Sequence, residues 1–401
     1  MKTVIDTAEL GSIAQITKLA GYEFTKHIDY IEDGEIIAIR ALNIKNGQLE
    51  LTDIKRISKG VSDSLVRSKL FKNDIILSYT GSKYGDVTII PENDKYHLAP
   101  NVAKVTVNEE ENPYFYYLLM TSIEFQWYLK NYGVGTGQPT IPMKNIRRIP
   151  VAHPSQDVQN KIVDIIKPIN EKIVQNQEIN HHLAEILQVN LVQQLNEIPE
   201  KHRIGDLELT VSDHVANGSF KSLKENVELV EKPDYALFLR NVDLKNKLNG
   251  DRRYVTESSY KFLKKSRLYG HEVIISNVAD VGSVHRVPKM NIPMVAGNNV
   301  VFLQADNGSL TDYLYVYFNS RLGQHNIESI TSGSAQQKFN KTDFRNLEIP
   351  ILNDEIIHNQ ITPLLRYMDN INGEISRLIE LRDSLLPKLM SGEISVSQAA
   401  K

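Results

Sequence analysis

Cysteine is absent from all 401 residues, which excludes disulfides, thiolate zinc sites and cysteine nucleophiles. Also missing is any apolar run near the roughly 18 residues that a membrane-spanning helix needs. The opening MKTVIDTAEL carries Asp6 and Glu9 where a secretory signal would be apolar, so the chain reads as cytoplasmic. Excess charge of one sign is lacking too: 46 Lys+Arg stand against 49 Asp+Glu, a net −3 that argues against binding polyanions by bulk charge alone. There is no Walker loop. What is present is ordinary for a globular protein, 41% hydrophobic and 24% charged residues, at a length that predicts two or three domains.

The charge is unevenly distributed. Residues 1–154 are neutral overall, 155–200 carry net −4, 201–352 carry net +3 and 353–401 carry net −2. The alternation of large neutral-to-basic blocks with small acidic ones points to an internal repeat, and the chain has one with a period near 200 residues. Arg40-Ala41-Leu42-Asn43-Ile44 recurs as Arg240-Asn241-Val242-Asp243-Leu244. Leu70–Ser78 recurs as Leu268–Ser276, and each run then reaches a glycine, Gly85 or Gly282. Ala99 and Asn101 answer Ala296 and Asn299, and Ile149-Pro150-Val151 answers Ile349-Pro350-Ile351. The common order and near-constant offset carry the inference.

Each copy has a head and a helix. The heads are rich in short apolar runs (IIAIRALNI, DIILSYTG, VTIIP) bounded by Gly, Asn, Asp and Pro, which predict strands and turns. Helices are predicted at 114–128 and 312–324, so each head is expected to be α+β with a mixed or mainly antiparallel sheet. In the second copy, apolar residues at 357, 361, 364, 368, 371, 375, 378 and 385 follow a 4-3 spacing broken at Arg382. The matching frame in the first copy is 162, 165, 169, 172, 176, 179, 183 and 186, broken at Lys172 and Asn176. A period of about 3.5 residues marks a coiled-coil seam. Two long helices in one chain are therefore expected to pair with each other, antiparallel, with Pro168 and Pro363 in their first turns. The alternative is that each stripe packs on its own head.

Several short motifs suggest chemistry. Asn131-Tyr132-Gly133-Val134-Gly135-Thr136-Gly137-Gln138 has the glycines of a phosphate or S-adenosylmethionine loop. Its twin, Thr331–Gln337, keeps only one glycine, and Pro139 and Pro142 follow where a helix should begin. A close-approach turn beside another macromolecule fits better. Asn112-Pro113-Tyr114-Phe115 lacks the second proline of an adenine methyltransferase motif and reads as a helix start. Asp53-Ile54-Lys55 and Asp243-Leu244-Lys245 have a nuclease-like form but no acidic partner upstream. His181 and His182 occupy adjacent helical positions that do not share a face, so they read as solvent- or partner-facing.

What remains is binding. Turns in the heads offer Arg, Lys, Gln, Asn and Tyr, residue types that contact phosphates and read purine edges. The candidates for DNA contact are Lys83, Tyr84, Gln138 and Thr140 in the first head. In the second they are Arg252, Arg253, Arg267, Asn299, Gln336 and Gln337.

Two variable heads, each ending in a small-residue turn with Gln, then Ile-Pro, then a long helix with an early Gln, resemble the specificity subunit of a type I restriction–modification system. The residues that carry the resemblance are Gly137-Gln138, Ile149-Pro150, Gln159 and Ile162. Ser334, Gln337, Ile349-Pro350 and Gln360-Ile361 follow in the second copy, with the ending Leu385–Ile394. The Val-Ala-His-Pro and Ile-Leu-Asn-Asp that follow Ile-Pro depart from the family's more Pro-rich step. The resemblance implies target-recognition domains at 1–154 and 201–352, a central conserved helical spacer at 155–200 and a C-terminal conserved helical region at 353–401. It implies that each head reads one half of a bipartite DNA site while the helices set the spacing. Two methyltransferase subunits would bring S-adenosylmethionine for adenine methylation, and motor-nuclease subunits would join for restriction. No cofactor, metal or catalytic residue is expected in this chain. The rival expectations are a helical adaptor joining two protein-binding heads and a single-chain DNA methyltransferase.

Overall fold

A computed structural model of the chain describes residues 6–45, 47–135, 139–196, 200–248, 250–334 and 336–399. The chain divides into two compact units: Met1–Gln175 joined by Ile375–Lys401, and the intervening Asn176–Glu374. Each unit holds one head and a part of both long helices.

In the first head the apolar run Ile36–Ile39 is buried at every position, as a strand covered on both faces must be. It lies parallel to Tyr96–Leu98, with Ile37 opposite Tyr96, and antiparallel to Lys55–Ile57. Lys69–Leu70 pairs on the far side of Tyr96–Leu98. A second, antiparallel sheet runs in the order Ala14–Lys18, Val102–Val107, Ile75–Ser78, Val87–Ile89.

The second head repeats both sheets. Ala236–Leu239 lies parallel to Met294–Ala296, with Leu237 opposite Met294, between Tyr254–Val255 and Arg267–Leu268. Thr210–Asp213, Val300–Gln304, Val273–Ser276 and Val284–Arg286 form the antiparallel sheet. The mixed α+β heads are those expected from the sequence. The repeat extends to single side chains: the buried Asp74 accepts from the Phe71 amide at 2.7 Å, and the buried Glu272 accepts from the Tyr269 amide at 2.7 Å.

The helical segments of the heads differ from expectation. Each is two helices, Pro113–Thr121 then Ile123–Tyr132, and Gly308–Phe318 then Arg321–Ser329. Ser122 and Ser320 adopt extended backbone and cap the second helix, their hydroxyls accepting from the Phe125 and Gly323 amides. Apolar periodicity continues across such a break, so only the serines signal it. Asn112 is a helix cap, its side chain accepting from the Tyr114 and Phe115 amides at 3.0 and 3.2 Å ahead of Pro113.

The long helices are Gln156–Leu195 and Thr362–Met390, the second entered through a π-helical turn at Ile357–Ile361. Neither proline lies in a first turn: Pro168 is about three turns inside the first helix, and Pro363 follows the π-helical turn of a helix that is continuous from Asp354. They pair antiparallel within each unit. In the second unit Gln194 reaches Gln360 at 3.4 Å and Asn180 reaches Asn372 at 3.0 Å; in the first, Arg382 reaches Asn170 at 3.3 Å. Arg382, the break in the expected seam, is thus a polar seam residue with a partner.

The seam of the second helix follows the expected frame, but that of the first is shifted. Ile162, Ile166, Ile173, Asn176, Leu183 and Leu187 are buried, whereas Lys172, Ile179 and Ile186 are exposed. The positions at 162, 169, 176 and 183 were placed correctly; their partners fall four residues on, not three. The helix ends enter the head cores. Ile162, Ile166, Leu386 and Leu389 pack with Phe115, Phe125 and Leu129, and Leu187, Leu191, Ile357 and Ile361 pack with Tyr313, Phe318 and Phe344. No described helix is long and apolar enough to cross a membrane.

Candidate nucleic-acid interface

The glycine-rich run begins where helix Ile123–Tyr132 ends, the Gly133 amide donating to the Leu129 carbonyl at 3.0 Å. A side chain at Gly133 would meet the Tyr84 hydroxyl at 2.7 Å, and Gly135 has φ +92°. Val134 and Thr140 exchange backbone hydrogen bonds at 2.7 and 3.0 Å, and Thr140 also bridges to Thr80. Val134, Pro139 and Thr140 are therefore held against the Tyr79–Gly85 loop. Its twin repeats the bridges, Ser332 and Val278 each pairing with Lys338, and the Ala279 amide donates to the Gln337 carbonyl at 3.1 Å. The strand–turn–helix of a phosphate cradle is not formed by these described residues. Thr136, Gly137 and Gln138 lie outside the described residues.

In the first head this packing brings Lys83, Tyr84 and Thr140 together. Lys83 stands 3.8 Å from Asp86, both side chains partly exposed. Burial pushes the Asp86 carboxyl up, and the Lys83 ammonium partly offsets it. The Tyr84 hydroxyl donates to the Leu129 carbonyl, and burial raises its pKa. Tyr84 thus presents a ring edge rather than a free hydroxyl. The Thr140 hydroxyl is hydrogen-bonded to that of Thr80.

In the second head the candidates separate into three places. Asn299, with φ +64°, and the exposed Gln336 and Gln337 gather around the Asn277–Gly282 loop, where the Asn277 amide donates to the Asn299 carbonyl at 3.1 Å. Arg252 and Arg253 line a separate cleft, Arg252 donating to the Leu248 carbonyl at 2.8 Å and Arg253 paired with Glu231 at 2.5 Å. Arg267 lies apart again, stacked 4.4 Å from the Tyr260 ring centroid. The two loops differ in the charged residue they carry and in its partner. Lys83 marks the first, whereas in the second Asp280 is held by Lys245 at 3.0 Å and Asn241 at 3.1 Å, and the hydrogen bond from Lys245 lowers its pKa.

The other motifs have structural partners. Asp243 is buried and chelated by Arg240, with a 2.6 Å ion pair, and Asp53 pairs with Arg40 at 3.1 Å. His181 and His182 are exposed and both lie beside Glu185. Gln159, fully buried, donates to the Pro154 carbonyl at 2.9 Å and accepts from the Asn112 amide at 2.9 Å, fastening the first long helix to its head. Among the described residues no group of three or more His, Asp or Glu is arranged to hold a metal. Sequence reasoning missed a cleft in the first head lined by Lys18, Arg67 and Arg147. Arg147-Arg148 before Ile149-Pro150 was its one visible sign, but Lys18 and Arg67 are distant in sequence.

The chain is thus built of duplicated mixed heads, each with a pinned polar turn, and of two long helices that pair within each unit. A family model described as the type I restriction modification DNA specificity domain matches residues 5–185 and again 213–381, and the chain belongs to that family. Among curated relatives it is similar to the type I restriction enzyme MjaIX specificity subunit of Methanocaldococcus jannaschii, 22% identical over 99% of this chain and 94% of that one. It is also similar to the type I restriction enzyme EcoBI specificity subunit of Escherichia coli, at 29% identity over only 34% of this chain and 28% of that subunit. The fold resembles the crystal structure of a type I restriction–modification S subunit from M. genitalium, with a TM-score of 0.54 at 15% identity and 96% coverage of both chains.

Proposed function

We propose that this chain is the DNA sequence-recognition subunit of a type I restriction–modification complex. Each head, residues 1–154 and 201–352, reads one half of a bipartite site, and the helical regions 155–200 and 353–401 set the gap between the halves. The observation that carries this reading is the double match of one DNA specificity domain to a chain whose two heads share sheet order and register. The differing loops, Lys83 in one and a neutralised Asp280 in the other, suit heads that read unlike half-sites. The candidate DNA contacts remain the residues named above, of which Asn299, Gln336 and Gln337 are exposed.

The chain itself is non-catalytic and holds no cofactor. Two methyltransferase subunits bring S-adenosylmethionine and methylate adenine in each half-site, and motor-nuclease subunits join for restriction, in the cytoplasm where the DNA lies. The exposed Ile179, Ile186, Val189 and Val192 on the first long helix supply an apolar line for a methyltransferase subunit.

Base-resolved adenine methylation of the host genome, with and without this gene, tests the proposal. Loss of methylation at one split motif is expected. An unchanged methylome with no DNA binding by the assembled chain would favour an adaptor. Methylation by the isolated chain supplied with S-adenosylmethionine would make it an enzyme.

A further inference from the structure

The first head holds a cleft between strand Ala14–Lys18 and helix Met143–Arg147 that is lined by three cations, Lys18, Arg67 and Arg147, and by no carboxylate. Some lysines of this head form ion pairs: Lys59 and Lys69 with Asp63, Lys83 with Asp86, and Lys95 with Glu92. Lys18, Arg67 and Arg147 form none among the described residues.

Two of the three are nevertheless held in place. The Arg147 guanidinium donates to the Ile16 carbonyl at 2.6 Å, and the Lys18 ammonium lies 5.4 Å from the Tyr79 ring centroid. A side chain on Gly11 would come within 2.8 Å of the Arg147 Cβ, so the glycine permits the approach that sets Arg147 beside the strand. Oriented cations without counter-charge cost little until an anion arrives, and they then gain its full attraction.

The second head has the same scaffold with one carboxylate added, and Lys265 stands where Arg67 does. Gly205 packs on Arg345 as Gly11 packs on Arg147. The residue opposite Val301 there is Asp213, where Lys18 lies opposite Ala103 in the first head. Lys341, which opens helix Lys341–Arg345 as Met143 opens its counterpart, reaches Asp213 at 3.1 Å. The first head's cleft has no carboxylate, whereas the second head offsets part of its positive charge with the Lys341–Asp213 ion pair.

We propose that the Lys18–Arg67–Arg147 cleft binds a phosphodiester of the DNA backbone. The proposal rests on the DNA-recognition reading above. The cleft then supplies the first head with electrostatic anchoring, which carries no sequence information.

The test uses the full chain assembled with its methyltransferase subunits and measures duplex affinity over a range of salt, on a duplex with the methylated motif and on a scrambled one. The variant is Lys18→Gln/Arg67→Gln. Neither side chain has a hydrogen-bond partner among the described residues, so folding is preserved, whereas Arg147 holds Ile16 and is left intact. The slope of log affinity against log salt is expected to become shallower by about 0.9, the value for one phosphate contact. The affinity loss should be the same on both duplexes, and Arg67→Lys should retain the wild-type slope. An unchanged slope in a variant that folds and binds overturns the proposal, as does a loss confined to the specific duplex. A wild-type assembly that binds neither duplex overturns the DNA reading itself, and the proposal with it.

Discussion

Gln126 closes the turn at Gly85: its Nε2 donates to the Gly85 carbonyl at 2.8 Å and to the Met120 carbonyl at 2.9 Å. Gln324 does the same for Gly282 at 2.9 Å and for Phe318, in the second head. Each contact ties the binding loop to the start of the head's second helix. Gly85 has φ +92°, and a side chain there would stand 2.6 Å from Gln126 Oε1. Gly85→Ala is expected to destabilise the chain by about 1–3 kcal/mol through backbone strain and displacement of the glutamine, read by urea denaturation. Gly282→Ala, at φ +85°, should behave alike. Wild-type stability in both would show that the loops do not depend on this contact.

A second prediction concerns how the second head holds its helix. Arg286 joins Asp312 at 3.0 Å and Asp369 of the long helix at 2.9 Å, with Arg286 and Asp312 almost buried. Burial pushes the Asp312 carboxyl up, and Arg286 pulls it back. Arg286→Met strands Asp312 and should cost about 3 kcal/mol or more, while Arg286→Met with Asp312→Leu should recover most of the loss. Additive losses in that double-mutant cycle would mean that the two residues do not act as a pair. In the first head the corresponding anchor is neutral, Asn170 donating to the Tyr114 hydroxyl at 3.2 Å.

The pH dependence of stability follows from His97. Its ring is fully buried, with Nδ1–H donating to the Leu98 carbonyl at 2.9 Å and Nε2 without a partner among the described residues. Burial lowers its pKa below the usual 6.5, and Lys104 lowers it further, against the backbone hydrogen bonds and Glu23. A depressed histidine pKa means that the unfolded chain binds the proton more readily. Stability is therefore full above about pH 6.5 and is lost as pH falls through the lower folded value. His97→Gln should flatten the decline between neutral pH and pH 5; a wild-type decline in the variant would remove His97 from the account. His214, buried in the second head and likewise depressed by desolvation, limits the flattening to a part of the total.

The apolar line on the first long helix separates folding from assembly. Ile179 is 36% exposed and Ile186 46%. Ile179→Ser with Ile186→Ser should leave the chain's own stability within about 1 kcal/mol, as for surface substitutions, yet weaken methyltransferase binding at least tenfold by calorimetry. Ile173→Ala, by contrast, empties a buried seam position and should cost about 2–4 kcal/mol in the chain alone. Unchanged methyltransferase affinity in the Ile179/Ile186 variant would move the docking surface elsewhere.

Much of this architecture was legible in the residues. The offset between Leu70–Ser78 and Leu268–Ser276 marks the same central strand of two sheets, and the seam from Ile357 to Leu385 marks a real helix interface. The first helix misled because it has two apolar lines. Ile179 and Ile186 sit at coiled-coil spacing but face outward, and spacing alone does not say which line meets the partner helix. The helix breaks at Ser122 and Ser320 were hidden because apolar residues continue on both sides. Candidate contacts were chosen by residue type and turn position, so folding scattered them. Gln336 and Gln337 came to the pinned turn, Arg253 met Glu231, and Tyr84 turned its hydroxyl inward. The basic cleft escaped notice because its cations come from three distant segments, and its significance depends on the absence of nearby carboxylates.

The central claim is that two heads in one chain read two separated half-sites. Selection of bound duplexes from a random library by the chain assembled with its methyltransferase subunits tests it most directly. The expected product is one motif with two fixed blocks separated by an unspecified gap of constant length, and replacing the second head should change one block alone. A single contiguous block, or a motif unaffected by exchange of that head, would contradict the account.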